Sequence, residues 1–208
     1  MNGHCCGVVL HFPAATFAAT DLACLRGFLL RARTDLLAKQ VLYIMNIADA
    51  IAVLNKEVPN PSAGLPDEVF YYISKTTPLV NVDLLIKDEK GRTLLSWRDD
   101  QYVGKGWHVP GGIVRFKETL ETRVRKVAET EIGVDISFDT IPMAINQCIH
   151  PERDIRSHFI SFLYKCFLPT TFVPQNKGLS YEDVGYLRWH DFCPDNLIKF
   201  HEIYRKYI

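Results

Sequence analysis

Apolar residues form short strand-like runs over the second half of the chain. LVNVDLLIKD (79–88) and RTLLSWRD (92–99) are rich in aliphatic residues and are separated by the turn sequence DEKG, a pattern that predicts a β-hairpin. The glycines and proline of GKGWHVPGG (104–112) predict a strand between two loops. Three later runs also predict strands: TIPMAINQCI (140–149), HFISFLYKCFL (158–168) and YLRW (186–189).

Apolar residues at helical spacing mark the remaining segments. Helices are predicted for MNIADAIAVLNKEV (45–58), for PDEVFYYIS (66–74), from about residue 120 to residue 132, and for NLIKFHEIYRKYI (196–208). In the third helix, Thr119 is placed to cap the first turn and Gly133 to end the last. Many strands combined with few helices predict an α+β sandwich.

The composition divides the chain into three parts. Residues 1–44 hold two acidic and four basic residues, and they contain neither the basic start of a signal peptide nor the ~20 uninterrupted apolar residues of a membrane span. Two alternatives stay open for this extension: a transit peptide, or upstream sequence before a start at Met45. Residues 45–74 hold accessory helices and a linker, NPSAGLP, and residues 75–208 form the main domain.

Charge and cysteine content narrow the class of partner. The chain has 24 basic and 24 acidic residues, so it offers no net positive field for nucleic acid or for an anionic membrane. Any bound anion must be held by a few placed cations, which favours a small-molecule site. The six cysteines form no C-x-x-C pair and no zinc-like spacing, as is typical of reduced thiols in a cytoplasmic protein.

The segment GGIVRFKETLETRVRKVAETEIGV (111–134) leads from the Gly-Gly turn into the third helix. It resembles the motif G-x5-E-x7-R-E-U-x-E-E-x-G-U of the Nudix hydrolases, in which U is aliphatic. The matching positions are Gly112, Glu118, Glu131, Gly133 and Val134. Lys126 stands at the position of the motif's arginine, whereas Val127 and Thr130 replace two of its acids. The resemblance covers residues 75–208 and implies a Nudix-type α/β/α sandwich with a mixed sheet, preceded by a helical extension.

The two missing acids change the expected metal chemistry. Magnesium prefers oxygen ligands and keeps several water molecules, and Glu131 is the one carboxylate left of the three that would converge at the end of the helix. We therefore expect a single Mg²⁺ ion, with Mn²⁺ as the alternative. Glu118 lies up to ~20 Å from Glu131 along a helix and is expected to be structural, as a charge near the helix start or as a partner of Lys126.

The motif of this chain resembles that of the GDP-mannose mannosyl hydrolases, which also lacks the acids replaced here by Val127 and Thr130 and carries the string E-T-L-E. By this resemblance the metal ligands fall on the Gly111 carbonyl, Glu131 and Glu182. The basic residues that bind the diphosphate fall on Arg98 and Lys126. The residue that contacts the nucleotide or the sugar falls on Asp83.

Three positions depart from that subfamily. A family arginine corresponds to Ile113, although Arg115 lies two residues further on, and an aromatic hydroxyl corresponds to Phe159, which has none. The family's general base is a histidine in the loop before Y-R-W, where LSYEDVGYLRW has none; Asp183 is the nearest match. A carboxylate can deprotonate water in an inverting displacement. His150 and, below it, His158 are the other candidates.

The resemblance implies Mg²⁺-dependent cleavage of a nucleoside diphosphate sugar at the anomeric carbon. Asp183 would act as the base, and Arg98 and Lys126 would stabilise the diphosphate, while Asp83, Arg115 and Phe159 would line the substrate site. Two rivals stay open: a Nudix pyrophosphohydrolase that cleaves a P–O bond, and a module that binds a nucleotide sugar without turnover. The expected partner is a small-molecule nucleotide sugar, and a homodimer is among the expected assemblies.

Overall fold

The computed structural model describes residues 30, 31, 33 and 46–208. The other residues of the 1–44 extension, with the predictions made for them, lie outside this range. Helix α1 (Ile47–Glu57) forms where the amphipathic pattern predicts it, and it belongs to a separate compact unit from residues 58–208. No helix in the described part of the chain is long and apolar enough to cross a bilayer.

The second unit contains two α-helices, eight strands and two 3₁₀ segments. In chain order these are a 3₁₀ turn (Pro61–Ala63), α2 (Asp67–Thr76), β1 (Leu79–Lys87), β2 (Thr93–Asp100), β3 (Gly104–His108), β4 (Gly111–Ile113), α3 (Leu120–Val127), β5 (Ser137–Phe138), β6 (Ala144–Ile149), β7 (His158–Phe167), β8 (Leu187–His190) and a C-terminal 3₁₀ helix (Lys199–Tyr207). The predicted hairpin, strands and helices are confirmed. β5 was not predicted, because two residues are too few to show an alternation of apolar and polar positions.

Two helices differ in type from a regular α-helix. α3 begins at its predicted cap, where the Thr119 side chain accepts a hydrogen bond from the Thr122 N–H, but it ends in a π-helical turn (Ala128–Ile132) before Gly133, whose φ is +81°. The C-terminal segment is a 3₁₀ helix because its inward side chains recur every third residue, the period of that helix. Those side chains are Ile198, His201, Tyr204 and Tyr207.

The eight strands form one mixed sheet with β1 at its centre. β1 runs parallel to β7 over nine residue pairs, from Leu79 with Phe159 to Lys87 with Phe167. On its other side β1 is antiparallel to β4 at one end and to β2 at the other. β2 also pairs with β3 and β8, and β7 with β5 and β6.

Helices cover both faces of the sheet. On one face α3 packs its buried Val124 and Val127 against Val82 and Leu84 of β1. On the other face the C-terminal 3₁₀ helix contributes Tyr204 to a cluster with residues of β1, β2 and β3. Successive residues of a strand point to opposite faces, so Val82, Leu84 and Ile86 face α3, whereas Asp83 and Leu85 face the C-terminal helix. The α/β/α sandwich with a mixed sheet is confirmed.

The Gly-Gly pair of β4 lets this strand approach its neighbours closely. A Cβ atom on Gly111 would lie 2.2 Å from Asp83 Oδ1 and 2.8 Å from the Val82 carbonyl oxygen. One on Gly112 would lie 2.8 Å from Val127 Cγ2 of α3. Neither contact can be relieved by the far end of a long side chain, so both positions require glycine. β4 is thereby held between β1 and α3.

Candidate functional site

A cavity of about 720 Å³ opens where β1, β4 and the C-terminal 3₁₀ helix meet. Five residues predicted for the site line it together: Asp83, Arg98, Gly111, Arg115 and Phe159. The cavity is also lined by α2 and by residues 153 and 156 of the β6–β7 connection. Its size is that of a pocket for a small organic ligand.

Asp83 lies in the cavity wall and is 3% exposed. Its carboxylate accepts hydrogen bonds from the Asn81 amide at 2.8 Å, from the Tyr204 hydroxyl at 2.5 Å and from the Ser161 hydroxyl. Burial raises the pKa of Asp83 above its ordinary value, although these donors and the nearby His108 oppose the shift. Asp83 is therefore a buried acid with a raised pKa, surrounded by hydroxyl and amide donors.

Two histidines stand beside this acid. The His108 Nδ1–H donates to the Ser96 carbonyl at 2.7 Å, which leaves Nε2 free to accept a proton. His108 Nε2 lies 3.7 Å from Glu131 Oε2, so the last acid of the motif faces the cavity-lining His108. His201 accepts the Val109 N–H at Nδ1 over 2.9 Å, and burial holds the pKa of His201 well below its ordinary value.

The other motif charges form ion pairs along α3. Glu118 pairs with Arg123 at 2.6 Å, so its structural role has a different partner from the predicted Lys126. The Glu118 carboxylate also accepts the Arg115 N–H at 2.9 Å and so fastens the loop before the helix. Lys126 pairs with Glu129 at 2.8 Å on the exposed side of α3 and does not line the cavity.

The loop predicted to supply a base and a metal ligand lies outside the cavity wall. Glu182 and Asp183 are exposed, and the Asp183 carboxylate accepts the Ser180 N–H at 2.6 Å. The neighbouring Tyr181 ring packs against Trp97, with the centroids 5.6 Å apart. The roles of Glu182 and Asp183 stay predictions.

The alternative bases are engaged by other side chains, one of which, Phe200, itself lines the cavity. His150 stacks on Phe200 with the ring centroids 3.6 Å apart, and His158 shares a 3.0 Å contact with the Gln147 amide. Neither histidine lines the cavity. Phe159 does, and its ring meets Phe200 edge to face.

Comparison with known proteins identifies the fold family. Residues 77–208, more than half of the chain, match the sequence profile of the NUDIX domain. The chain belongs to the Nudix family. The crystal structure of a MutT NUDIX hydrolase from Burkholderia pseudomallei superimposes with a TM-score of 0.52 at 22% identity, over 64% of this chain and 98% of that one, which shows a shared fold.

A curated relative shares more sequence over a shorter range. The low-salt glycan biosynthesis protein Agl8 of Haloferax volcanii is 37% identical to this chain over 84 residues, which are 40% of this chain and 53% of that protein. The chain thus spans about half the length of this relative.

Nudix hydrolases generally use divalent metal ions, and Glu131 is the motif carboxylate at the end of the helix that is available to hold one. The Glu131 side chain is 31% exposed, and among the described residues its one salt-bridge neighbour is His108, which is charged only when protonated. The same residues contain no group of three or more His, Cys, Asp or Glu side chains arranged to hold a metal. One carboxylate suits a single hard cation that keeps several water ligands.

Several cavity residues were missed by the sequence analysis. His108 lies inside the GKGWHVPGG run, and Ser161 and Tyr204 lie in segments whose periodicity indicated only core packing. Arg153 and Arg156 lie in the β6–β7 connection, which carries no motif. The inward three-residue repeat of the C-terminal segment was the one available signal for Tyr204.

We expect Asp83→Asn to flatten the pH dependence of stability. Because burial raises the folded-state pKa of Asp83 above its unfolded value near ~4, the free energy of unfolding falls as pH rises from about 4 through the folded-state pKa. The amide cannot ionise, so this decrease should be absent from the variant. Urea unfolding at several pH values, with the exposed Asp99→Asn as control, measures the difference. Parallel wild-type and Asp83→Asn curves would contradict the assignment.

We expect Glu131→Gln to weaken Mg²⁺ binding by at least ~10-fold with little change in melting temperature, because the amide lacks the charge that a hard cation prefers. The matched control is Glu129→Gln, two residues away on the same π-helical turn, whose carboxylate pairs with Lys126. Calorimetric titration with Mg²⁺ or Mn²⁺ measures both variants. Equal affinities in the two would remove Glu131 from the metal site.

Proposed function

We propose that this Nudix protein hydrolyses a nucleoside diphosphate sugar, similar to GDP-mannose, at the anomeric carbon of the sugar. Water attacks that carbon, and the C–O bond breaks with its electron pair leaving on the nucleoside diphosphate. A protein base takes a proton from the water. The products are a nucleoside diphosphate and the free sugar, formed through an oxocarbenium-like transition state.

Different residues are proposed to bind the metal ion, to stabilise the leaving group and to contact the substrate. Glu131, the Gly111 carbonyl and Glu182 are the proposed ligands of Mg²⁺, which when bound would neutralise charge on the diphosphate. Arg98 lines the cavity and can stabilise the negative charge of the leaving group. Asp83, flanked by hydroxyl groups, is proposed to contact the sugar or the nucleotide.

The single carboxylate beside His108 is the observation that carries the proposal. Attack of water on phosphorus by a two-metal mechanism needs enough acids to hold both ions, and the one motif acid at the end of the helix, Glu131, does not provide them. A displacement at carbon needs only a neutralised leaving group and one base. The name of the Haloferax volcanii relative, a glycan biosynthesis protein, supports a substrate that carries a sugar.

Two other functions are compatible with an arginine-lined cavity. A pyrophosphohydrolase would cleave a P–O bond with further metal ligands supplied by loops. A binding module would hold the nucleotide sugar without cleaving it. Retention of Glu131 and of the cavity arginines favours catalysis over binding alone.

We expect incubation with GDP-mannose and Mg²⁺ in H₂¹⁸O to give GDP and mannose, with the label on the anomeric carbon of mannose. This outcome follows because water attacks carbon and the diphosphate oxygens stay intact. Mass spectrometry of the products measures the position of the label. GMP and mannose 1-phosphate, with the label on phosphorus, would establish the pyrophosphohydrolase instead, and binding without turnover would establish the binding module.

The base is tested by comparing His108→Gln with Asp183→Asn. His108 lines the cavity, and in a neutral imidazole the Nδ1–H bond to the Ser96 carbonyl makes Nε2 the acceptor nitrogen, so we expect its replacement to lower kcat roughly 10²–10⁴-fold with KM little changed. Glutamine keeps a polar group there but cannot accept the proton. Steady-state kinetics decide between the two residues: loss in Asp183→Asn with retention in His108→Gln would assign the base to the loop, as the sequence predicted.

A further inference from the structure

The Arg156 side chain lies between two aromatic rings at the cavity wall. Its guanidinium carbon is 4.8 Å from the ring centroid of Tyr102 and 6.0 Å from that of Phe70 in α2. All three residues line the cavity. Ring faces at these distances attract a cation and hold its planar group in one orientation.

α2 also fixes the backbone of Arg156. The Arg156 N–H donates to the Ser74 hydroxyl at 3.2 Å, and Ser74, which is 2% exposed, donates in turn to the Tyr71 carbonyl at 2.9 Å. Arg156 has a φ of +51°, a left-handed conformation that is costly for a residue with a Cβ and that persists only where its surroundings enforce it. α2 therefore contacts both the side chain and the backbone of this arginine.

The charges around Arg156 leave a positive excess. Burial and the nearby Arg98 lower the pKa of the Arg156 guanidinium, while Asp100 opposes the shift. Asp100 is itself paired with Arg98 at 2.6 Å. Within residues 46–208, no carboxylate forms an ion pair with Arg156 or with Arg153, whose guanidinium lies 4.9 Å from the Phe200 ring centroid. Arg156 and Arg98 thus share one nearby carboxylate, Asp100, and a bound anion would stabilise the positive charge that remains.

We propose that Arg156 and Arg98 together bind the diphosphate of the substrate, and that α2 is a positioning element for this site. Two neighbouring guanidinium groups match two linked phosphates, each of which accepts paired hydrogen bonds. Arg156 would thereby supply the second cation that the sequence assigned to Lys126, a residue outside the cavity. α2 precedes the segment that matches the family profile, which begins at residue 77. The proposal rests on the proposed nucleotide substrate but not on its hydrolysis.

The test is calorimetric titration of the full chain with GDP and with inorganic pyrophosphate. Arg156→Gln should weaken binding of both by at least ~10-fold, since a lost charge-assisted hydrogen bond costs about that factor or more. Arg125→Gln is the matched control, because Arg125 is an α3 arginine outside the cavity that pairs with Asp135 at 3.1 Å. Equal affinities of Arg156→Gln and wild type for both ligands would overturn the proposal. Binding that depends on Arg156 without turnover of nucleotide sugars would instead reject only the proposed hydrolysis.

The role of α2 is tested by a double-mutant cycle. Ser74→Ala removes the acceptor of the Arg156 N–H and should weaken pyrophosphate binding several-fold in the wild-type background. In the Arg156→Gln background the same substitution should have almost no further effect, because the positioned group is gone. Melting temperatures confirm that all variants are folded. Equal losses in both backgrounds would show a general structural effect of Ser74 and overturn the positioning role.

Discussion

The close approach of β4 to β1 is the constraint on which the site depends. Gly111 lies directly against the Asp83 carboxylate, and Gly112 lies against Val127 of α3, at distances that leave no room for a Cβ atom. β1, β4 and α3 meet at these two glycines. The close contacts there allow β4 only one placement relative to β1. The motif helix and the buried acid are therefore fixed with respect to each other before any ligand binds.

Asp83 and Glu131, two acids of the Nudix domain, lie in different electrostatic surroundings. Asp83 is surrounded by hydroxyl and amide donors and is shifted towards its neutral form, which suits a hydrogen-bonding contact to a polar substrate group. Glu131 is more exposed and faces His108, an arrangement suited to a hydrated cation. Of the cavity arginines, Arg153 and Arg156 lie in the β6–β7 connection, whereas Arg98 lies in β2, Arg115 in the loop before α3 and Arg123 in α3. Asp83 and these arginines line one cavity, whereas Glu131 is not among its lining residues.

The cavity extends beyond the segment that matches the family profile. Residues 77–208 supply the sheet, the motif and the C-terminal helix, whereas the turn at residues 61–63 and α2 close one side. The Arg115 side chain donates to the Ala63 carbonyl at 2.6 Å, and the Ser62 hydroxyl donates to the Phe116 carbonyl at 2.8 Å. These bonds join the upstream segment to the loop before α3. The sequence analysis treated residues 45–74 as accessory helices and a linker, because the proline and glycine residues of NPSAGLP indicated only a connection.

The sequence by itself determined the order and type of most elements, the position of the motif and the loss of two of its acids. These features depend on local periodicity, on turn residues and on fixed spacings, all of which can be read along the chain. Only the tertiary structure decided that Lys126 lies outside the cavity while Arg156 lies inside it. It also decided that Tyr204 reaches Asp83 across 121 positions of sequence. Such contacts arise from the parallel pairing of β1 with β7 and from the packing of the C-terminal helix, which no local pattern encodes.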